Sequence, residues 1–145
     1  MNIISDETNK TGYNINNKID IGKVAGEFIQ FYYSNSSFTN NSSNGLNNIY
    51  QINMIRDYTT FKYNGDELKG EQIINFLKMF ISSYRVSINK YDFIDNGSRR
   101  IDISLIGSAT NISNNEKFNF NQTFTICHQK GEDTWYIKNS IFFTF

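Results

Sequence analysis

Apolar residues recur at helical spacing in the first half of the chain. One stripe follows Asp20, whose side chain can accept hydrogen bonds from the free N–H groups of a first helical turn. Residues 71–80, which follow Gly70, carry a second stripe, and a shorter helix is predicted over residues 43–50. We therefore expect three helices. Their buried positions are Ile21, Val24, Ala25, Phe28, Ile29 and Tyr32, then Leu46, Ile49 and Tyr50, then Ile73, Ile74, Leu77 and Phe80.

From residue 82 onward the pattern changes to that of strands. Strands are predicted over residues 84–94, 99–110, 118–129 and 134–145, with turns at 95–97, 114–116 and 130–132. An earlier strand, 52–63, mixes charged with β-branched and aromatic residues, which is typical of a sheet edge. Asn64-Gly65 then predicts a tight turn, because both residues tolerate positive φ.

The order of these elements predicts an α+β domain in which three helices pack on a curved antiparallel sheet. Such a sheet, wrapped over a small helix layer, leaves a cone-shaped pocket between the two layers. Residues 1–18 are polar and rich in Asn, and we expect a flexible tail there. Residues 19–145 then form one domain.

The last three predicted strands carry almost no charge. Residues 103–115, 118–129 and 134–145 contain one formally charged side chain between them, Lys138. The sheet face that does not cover the core would be polar but uncharged, which is the composition of the buried centre of a protein–protein contact. The alternative is a polar face that is merely solvated. Candidate positions on it are Asn119, Asn121, Thr123, Thr125 and Cys127, with Ser104, Ile106, Ser108 and Thr110.

Charge and candidate chemistry point away from several other functions. Fourteen basic residues balance fourteen acidic ones, which disfavours direct nucleic-acid binding, and no apolar stretch is long enough for membrane insertion. Cys127 and His128 are the only residues of their types, and as strand neighbours they would project to opposite faces, which disfavours a metal site. We therefore expect no cofactor.

Four short sequence motifs, in this order, resemble motifs of the nuclear transport factor 2-like family. They are Glu27-Phe28-Ile29-Gln30-Phe31-Tyr32-Tyr33, then Tyr63-Asn64-Gly65 followed by Leu68-Lys69-Gly70, then residues 118–124 and 135–142. The likeness runs from about residue 19 to residue 145. It implies the family's cone-shaped fold.

Within that family, the chain looks more similar to the export protein that forms the small subunit of the mRNA export receptor. Tyr63-Asn64-Gly65 and Phe120-Asn121-Gln122-x-Phe124 carry this likeness. The resemblance implies a non-enzymatic subunit of the nucleus, cytoplasm and nuclear pore. Its sheet would pair with a similar domain of the large receptor subunit, which binds nucleoporin Phe-Gly repeats. The interface residues would be Ser108, Thr110, Asn121, Thr123 and Phe143, the last standing where relatives have an arginine.

Two alternatives remain open. A homodimeric carrier of Ran-GDP uses acidic groups around its cavity. This chain offers only Glu116 there, with Asn64 on the expected cavity rim and Ile21 where the carrier has an aromatic residue. An enzyme would use the pocket for acid–base chemistry, with His128, Asp92 or Asp102 as candidates. A structural His128 and solvent-facing aspartates are the simpler interpretation.

Overall fold

In a computed structural model of the chain, the described residues are 20–34, 55–97, 99–129, 131 and 135–145. They form two helices and six strands. The helices are α1 (Ile21–Tyr32) and α2 (Glu71–Ser83). The strands are β1 (Ile55–Tyr63), β2 (Asp66–Leu68), β3 (Tyr84–Asp95), β4 (Arg100–Asn111), β5 (Lys117–His128) and β6 (Trp135–Thr144). The helix predicted at 43–50 lies outside the described residues.

Helix α1 begins where the sequence predicts. The Lys23 N–H donates to Asp20 Oδ1 at 3.2 Å, so the cap satisfies one of the free donors of the first turn. The Tyr33 N–H closes the other end by donating to the carbonyls of Ile29 and Phe31. Five residues of the predicted stripe are buried against the sheet, namely Val24, Ala25, Phe28, Ile29 and Tyr32.

The six strands form one sheet in the order β2-β1-β6-β5-β4-β3. Every pairing is antiparallel except that of β1 with β6, which is parallel. The prediction of a wholly antiparallel sheet is therefore wrong for this one pair. Alternation within a strand defines which face is buried, but it carries no information about the direction of the neighbouring strand.

Strand β1 also differs from the predicted edge strand. It lies between β2 and β6, although β2 covers only Phe61, Lys62 and Tyr63. The Asn64-Gly65 turn joins β1 to β2 with φ of 49° and 93°, in agreement with the turn that the sequence predicts. Breaks in register, at Ile88/Lys90 and at Thr125/Ile126, add local bends that curve the sheet.

Both helices cover one face of the sheet, which we call the inner face. Alternate residues of β4 and β5 are directed to it, with Ile103 opposite Phe124 and Gly107 opposite Phe120. A Cβ on Gly107 would lie 2.7 Å from the Ser87 carbonyl oxygen and 3.0 Å from the Phe120 ring, so glycine permits this close packing. The opposite face, which we call the outer face, has neither described helix over it.

Candidate docking face of the sheet

The outer face brings the uncharged residues of β4, β5 and β6 together in rows. Asn121 lies between Ile106 of β4 and Phe143 of β6. Thr123 lies between Ser104 and Ile141 in the next row. Because strands in a sheet lie about 4.8 Å apart, neighbouring side chains within each row are in contact range. The centre of the face is thus a mixed apolar and neutral polar surface.

Several large apolar side chains on this face are solvent-exposed, three of them at its centre or in the row beside it. The exposed fractions are 43% for Ile106, 46% for Phe143 and 68% for Phe145. The Phe145 N–H donates to the Asn119 carbonyl at 2.9 Å, which extends the β5–β6 ladder by one residue beyond β6. Exposed aromatic residues grouped at one site, unlike scattered ones, mark an interaction surface.

The five predicted interface residues all lie on the outer face. Asn121, Thr123 and Phe143 are exposed, and Thr110 is partly buried. Ser108 is only 7% exposed, because its short side chain lies between Ser87 and Asn119 on the flanking strands. Ser108 therefore offers little surface for contact, whereas the other four are accessible. Their role in an interface stays a prediction.

Ile106, Ile141 and Phe145 complete the apolar surface. Ile106 is one of the candidate positions that the sequence gives for this face, but none of the three is among the predicted interface residues. A signal for the other two is present at the end of β6, because Ile141, Phe143 and Phe145 alternate in sequence and therefore share one face.

The two predicted cavity-rim residues lie at one end of the sheet. Asn64 occupies the β1–β2 turn, and its Oδ1 accepts from the Thr144 N–H at 2.9 Å while its Nδ2 donates to Thr144 Oγ1 at 3.1 Å. Asn64 therefore joins the turn to the end of β6, which accounts for its identity without any ligand. Glu116 is exposed in the β4–β5 connection, where its carbonyl accepts from the Asn111 N–H.

Aromatic rings fill the inner face at the same end of the sheet. Phe142 stacks on Phe120 with 4.9 Å between ring centroids, and Phe80 of α2 meets both rings edge-on. Tyr63 and Phe76 extend the cluster on one side, and Phe118 and Tyr84 on the other. Within the described residues, this part of the predicted cone is a packed core.

A polar network lies in the core beside these rings. The buried Gln122 Nε2 donates to Tyr32 Oη at 3.2 Å and to Ser140 Oγ at 3.0 Å. Tyr33 Oη donates to Gln122 Oε1, and Ser140 Oγ donates to the Thr123 carbonyl. Burial raises the pKa of Tyr32 and of Tyr33 well above the usual tyrosine value. Both phenols therefore remain neutral, Tyr33 as a donor to Gln122 and Tyr32 as an acceptor from it, and they connect α1 to the sheet, a structural role.

The candidate acid–base residues do not converge. His128 is buried, lies 5.2 Å from the Trp135 ring and has Arg99 Nη1 2.9 Å from its Nδ1. Asp92 and Asp102 lie on the outer face, opposite Ser104 and Thr125, in agreement with the solvent-facing interpretation of these carboxylates. Asp102 accepts from Thr125 Oγ1 at 2.8 Å. His128 is directed by strand alternation to the inner side, so it and Asp102 lie on opposite faces.

An open groove lies between α1 and β3. It encloses about 600 Å³ and is lined by Gly26, Lys23, Ile88 and Tyr91, among others. In the part of the chain that the structure describes, no group of three or more His, Cys, Asp or Glu side chains is arranged to hold a metal ion. No described helix is long and apolar enough to cross a membrane.

Comparison with known proteins identifies the fold family. The nuclear transport factor 2 (NTF2) domain profile matches residues 24–144. A comparison with curated protein sequences finds no match.

Solved structures agree with that assignment. Yeast UBP3-associated protein BRE5 is 16% identical, with a TM-score of 0.65, and the match covers 88% of this chain and 98% of that one. NTF2 from Cryptosporidium parvum is 18% identical, with a TM-score of 0.61 and coverage of 86% and 94%. A chain of the Candida albicans Mtr2–Mex67 M domain complex is 10% identical, with a TM-score of 0.58 and coverage of 86% and 96%. At such identities the likeness shows the fold alone. Together with the profile match over most of its length, it shows that the chain belongs to the NTF2 domain family, with an α+β fold built on a curved mixed sheet.

Proposed function

We propose that this chain is a non-enzymatic NTF2-like subunit that dimerises through the outer face of its sheet with the NTF2-like domain of a large mRNA export receptor. In this role it acts in nucleocytoplasmic transport at the nuclear pore. The observation that carries the proposal is the exposed apolar centre formed by Phe143, Ile106 and Ile141 around the uncharged Asn121 and Thr123. Large apolar side chains in a neutral polar setting are typical of the core of a protein interface.

The choice of partner is supported by two further observations. The words Tyr63-Asn64-Gly65 and Phe120-Asn121-Gln122-x-Phe124 resemble those of the export subunit. The solved relatives include a complex between Mtr2 and the Mex67 M domain, and a protein associated with UBP3. NTF2-like domains thus occur in complexes with partner proteins, and an outer sheet face without a described cover is available for such a contact.

The interior supports a binding role over catalysis. Phe80, Phe120 and Phe142 occupy one end of the inner face, and Gln122 is fully engaged with Tyr32, Tyr33 and Ser140. A catalytic acid or base needs hydrogen-bonding reach to a substrate inside a pocket. Asp92 and Asp102, the acidic candidates, face away from the interior.

Analytical ultracentrifugation tests the proposal directly. The purified chain is run alone, with the purified NTF2-like domain of the mRNA export receptor from the same organism, and with Ran-GDP. The proposal expects a 1:1 complex with the receptor domain, which the Phe143→Glu variant fails to form. Thr60→Glu, on the outer face of β1 and away from the apolar centre, is the matched control and retains the complex.

Two results would contradict the proposal. One is a stable homodimer that binds Ran-GDP and ignores the receptor domain, which would assign the chain to the carrier subgroup. The other is a receptor complex that Phe143→Glu leaves intact, since this result would place the contact on another surface.

A further inference from the structure

We infer that Arg85 and Lys117 form a cationic pair that receives an acidic side chain of the partner protein at one end of the docking face. The inference rests on the proposed function, because it assigns a charge contact to the same interface. It concerns residues that the family resemblance does not single out. The occupant is an aspartate or glutamate of the protein that covers the face.

The register places the two cations on either side of one hydroxyl group. Arg85 of β3 is opposite Thr110 of β4, and Thr110 is opposite Lys117 of β5. At a strand spacing of about 4.8 Å, the Cα atoms of the two cations are separated by roughly 10 Å across Thr110. A carboxylate above Thr110 would thus be within reach of both long side chains and of the hydroxyl.

Their direction follows from the buried neighbours of each residue. Tyr84 and Val86, which flank Arg85, pack against the core. Phe118, which follows Lys117, contacts Tyr84 on the inner face, with 5.3 Å between the ring centroids. Strand alternation therefore directs Arg85 and Lys117 to the outer face, where both are exposed.

Among the described residues, no compensating anion lies beside the pair on that face. The adjacent row consists of Ser87, Ser108, Asn119 and Phe145, whose side chains are all uncharged. Two other outer-face cations have acidic neighbours, since Arg100 Nε lies 3.6 Å from Asp102 Oδ1 and Lys62 is opposite Glu67. A carboxylate placed between Arg85 and Lys117 would form charge-assisted hydrogen bonds with both.

The pair is also continuous with the apolar centre. Phe145 and Asn119 lie in the row beside Thr110, and Phe143 and Asn121 lie in the row after that. A partner seated on Phe143 and Phe145 therefore extends to Arg85 and Lys117. This arrangement of an apolar centre with a charged rim indicates a protein partner, because a polyanion would require cations across the centre as well.

Charge reversal tests the inference. The variant Arg85→Glu/Lys117→Glu is compared with Lys69→Glu/Lys78→Glu, which changes the net charge equally on the helix side of the molecule. Binding of the receptor domain is measured by isothermal titration calorimetry at 50 mM and 300 mM NaCl, with wild type and Phe143→Glu alongside. We expect the first variant to bind about tenfold more weakly at 50 mM and the control to bind like wild type. The difference between the variants should shrink at 300 mM, because salt screens exposed charges.

The outcomes separate this inference from the proposed function. If Phe143→Glu abolishes binding but the reversal of the cationic pair has no effect, the inference is wrong and the docking face stands. If wild type does not bind the receptor domain, or Phe143→Glu binds normally, both fail. A test with RNA could also overturn the inference. If the chain binds a single-stranded RNA oligonucleotide and only the Arg85→Glu/Lys117→Glu variant loses this binding, the pair contacts phosphate groups and not a carboxylate.

Discussion

The two faces of the sheet are formed by the same strands, but one face is buried and the other is exposed to solvent. On the inner face Phe142, Phe120 and Phe124 are buried, and the one amide, Gln122, has hydrogen-bond partners for both of its polar atoms. On the outer face Phe143, Asn121 and Thr123 occupy the neighbouring positions and remain exposed. Strand β6 thus ends with aromatic residues directed to both faces of the sheet. Among the described residues, other side chains cover only those on the inner face.

That difference gives a sharp expectation for adjacent phenylalanines. Phe142→Ala removes a buried ring that contacts Phe80 and Phe120 and should lower the free energy of unfolding by about 3–5 kcal/mol. Phe143→Ala removes a half-exposed ring and should cost less than about 1 kcal/mol. Urea denaturation followed by fluorescence measures both. Equal losses would contradict the assignment of the two residues to different faces.

The adjacent amides should differ in the same way. Gln122→Leu removes the hydrogen bonds that this buried amide makes with the hydroxyl groups of Tyr32, Tyr33 and Ser140, and should lower the free energy of unfolding by about 2–3 kcal/mol. Asn121→Leu, on the exposed face, should change it by less than about 0.5 kcal/mol. Equilibrium unfolding of the two variants checks this prediction. A neutral Gln122→Leu would mean that the network adds nothing to stability.

A substitution on the outer face should change the affinity for the receptor domain but not the stability of the fold. Phe143→Glu should weaken the complex with the receptor domain by about 30-fold or more, because a large aromatic side chain at the centre of an interface is replaced by a carboxylate, opposite in charge to the arginine of the relatives. Its unfolding free energy should stay within about 1 kcal/mol of wild type. Calorimetry and urea denaturation give the two numbers. A variant that loses binding only because it unfolds would not support the docking face.

The inner face should also show a modest dependence on alkaline pH. Burial, the largest cause, raises the pKa of Tyr33 in the folded chain, and a charge on the neighbouring Tyr32 raises it further. In the unfolded chain the pKa of Tyr33 lies near the ordinary value of 10.0. The free energy of unfolding that this tyrosine contributes is therefore fully present below that pH and falls progressively above it. Urea midpoints measured between pH 8 and about pH 11 should therefore fall at the alkaline end, more steeply for wild type than for Tyr33→Phe. Tyr58→Phe, at an exposed position, is the control and should follow wild type.

Much of the fold was predictable because its signals are local. The Asp20 cap, the Asn64-Gly65 turn and the alternation of β4 to β6 each depend on a few neighbouring residues, and all three are confirmed. The parallel pairing of β1 with β6 was not predicted, because it joins distant segments and leaves no local pattern. The three-residue strand β2 is too short to show any period.

The candidate site was predictable to a similar degree and for similar reasons. Its uncharged composition and the positions of Asn121, Thr123 and Phe143 on one face follow from alternation within single strands. The low exposure of Ser108 and the Arg85–Thr110–Lys117 row depend on register between strands, which is set by the whole sheet. The identity of the partner follows from neither alternation nor register, because it also depends on the surface of a second protein.

Hydroxyl-radical footprinting of the complex with the receptor domain tests the central claim most directly, because it reports the accessibility of individual side chains. Phe143, Phe145 and Ile106 are exposed on the outer face, and Met79, which is 47% exposed on α2, serves as the internal reference. We predict that the three outer-face residues lose reactivity on binding while Met79 keeps its own. Protection of Met79 with unchanged reactivity at Phe143 and Ile106 would contradict the account.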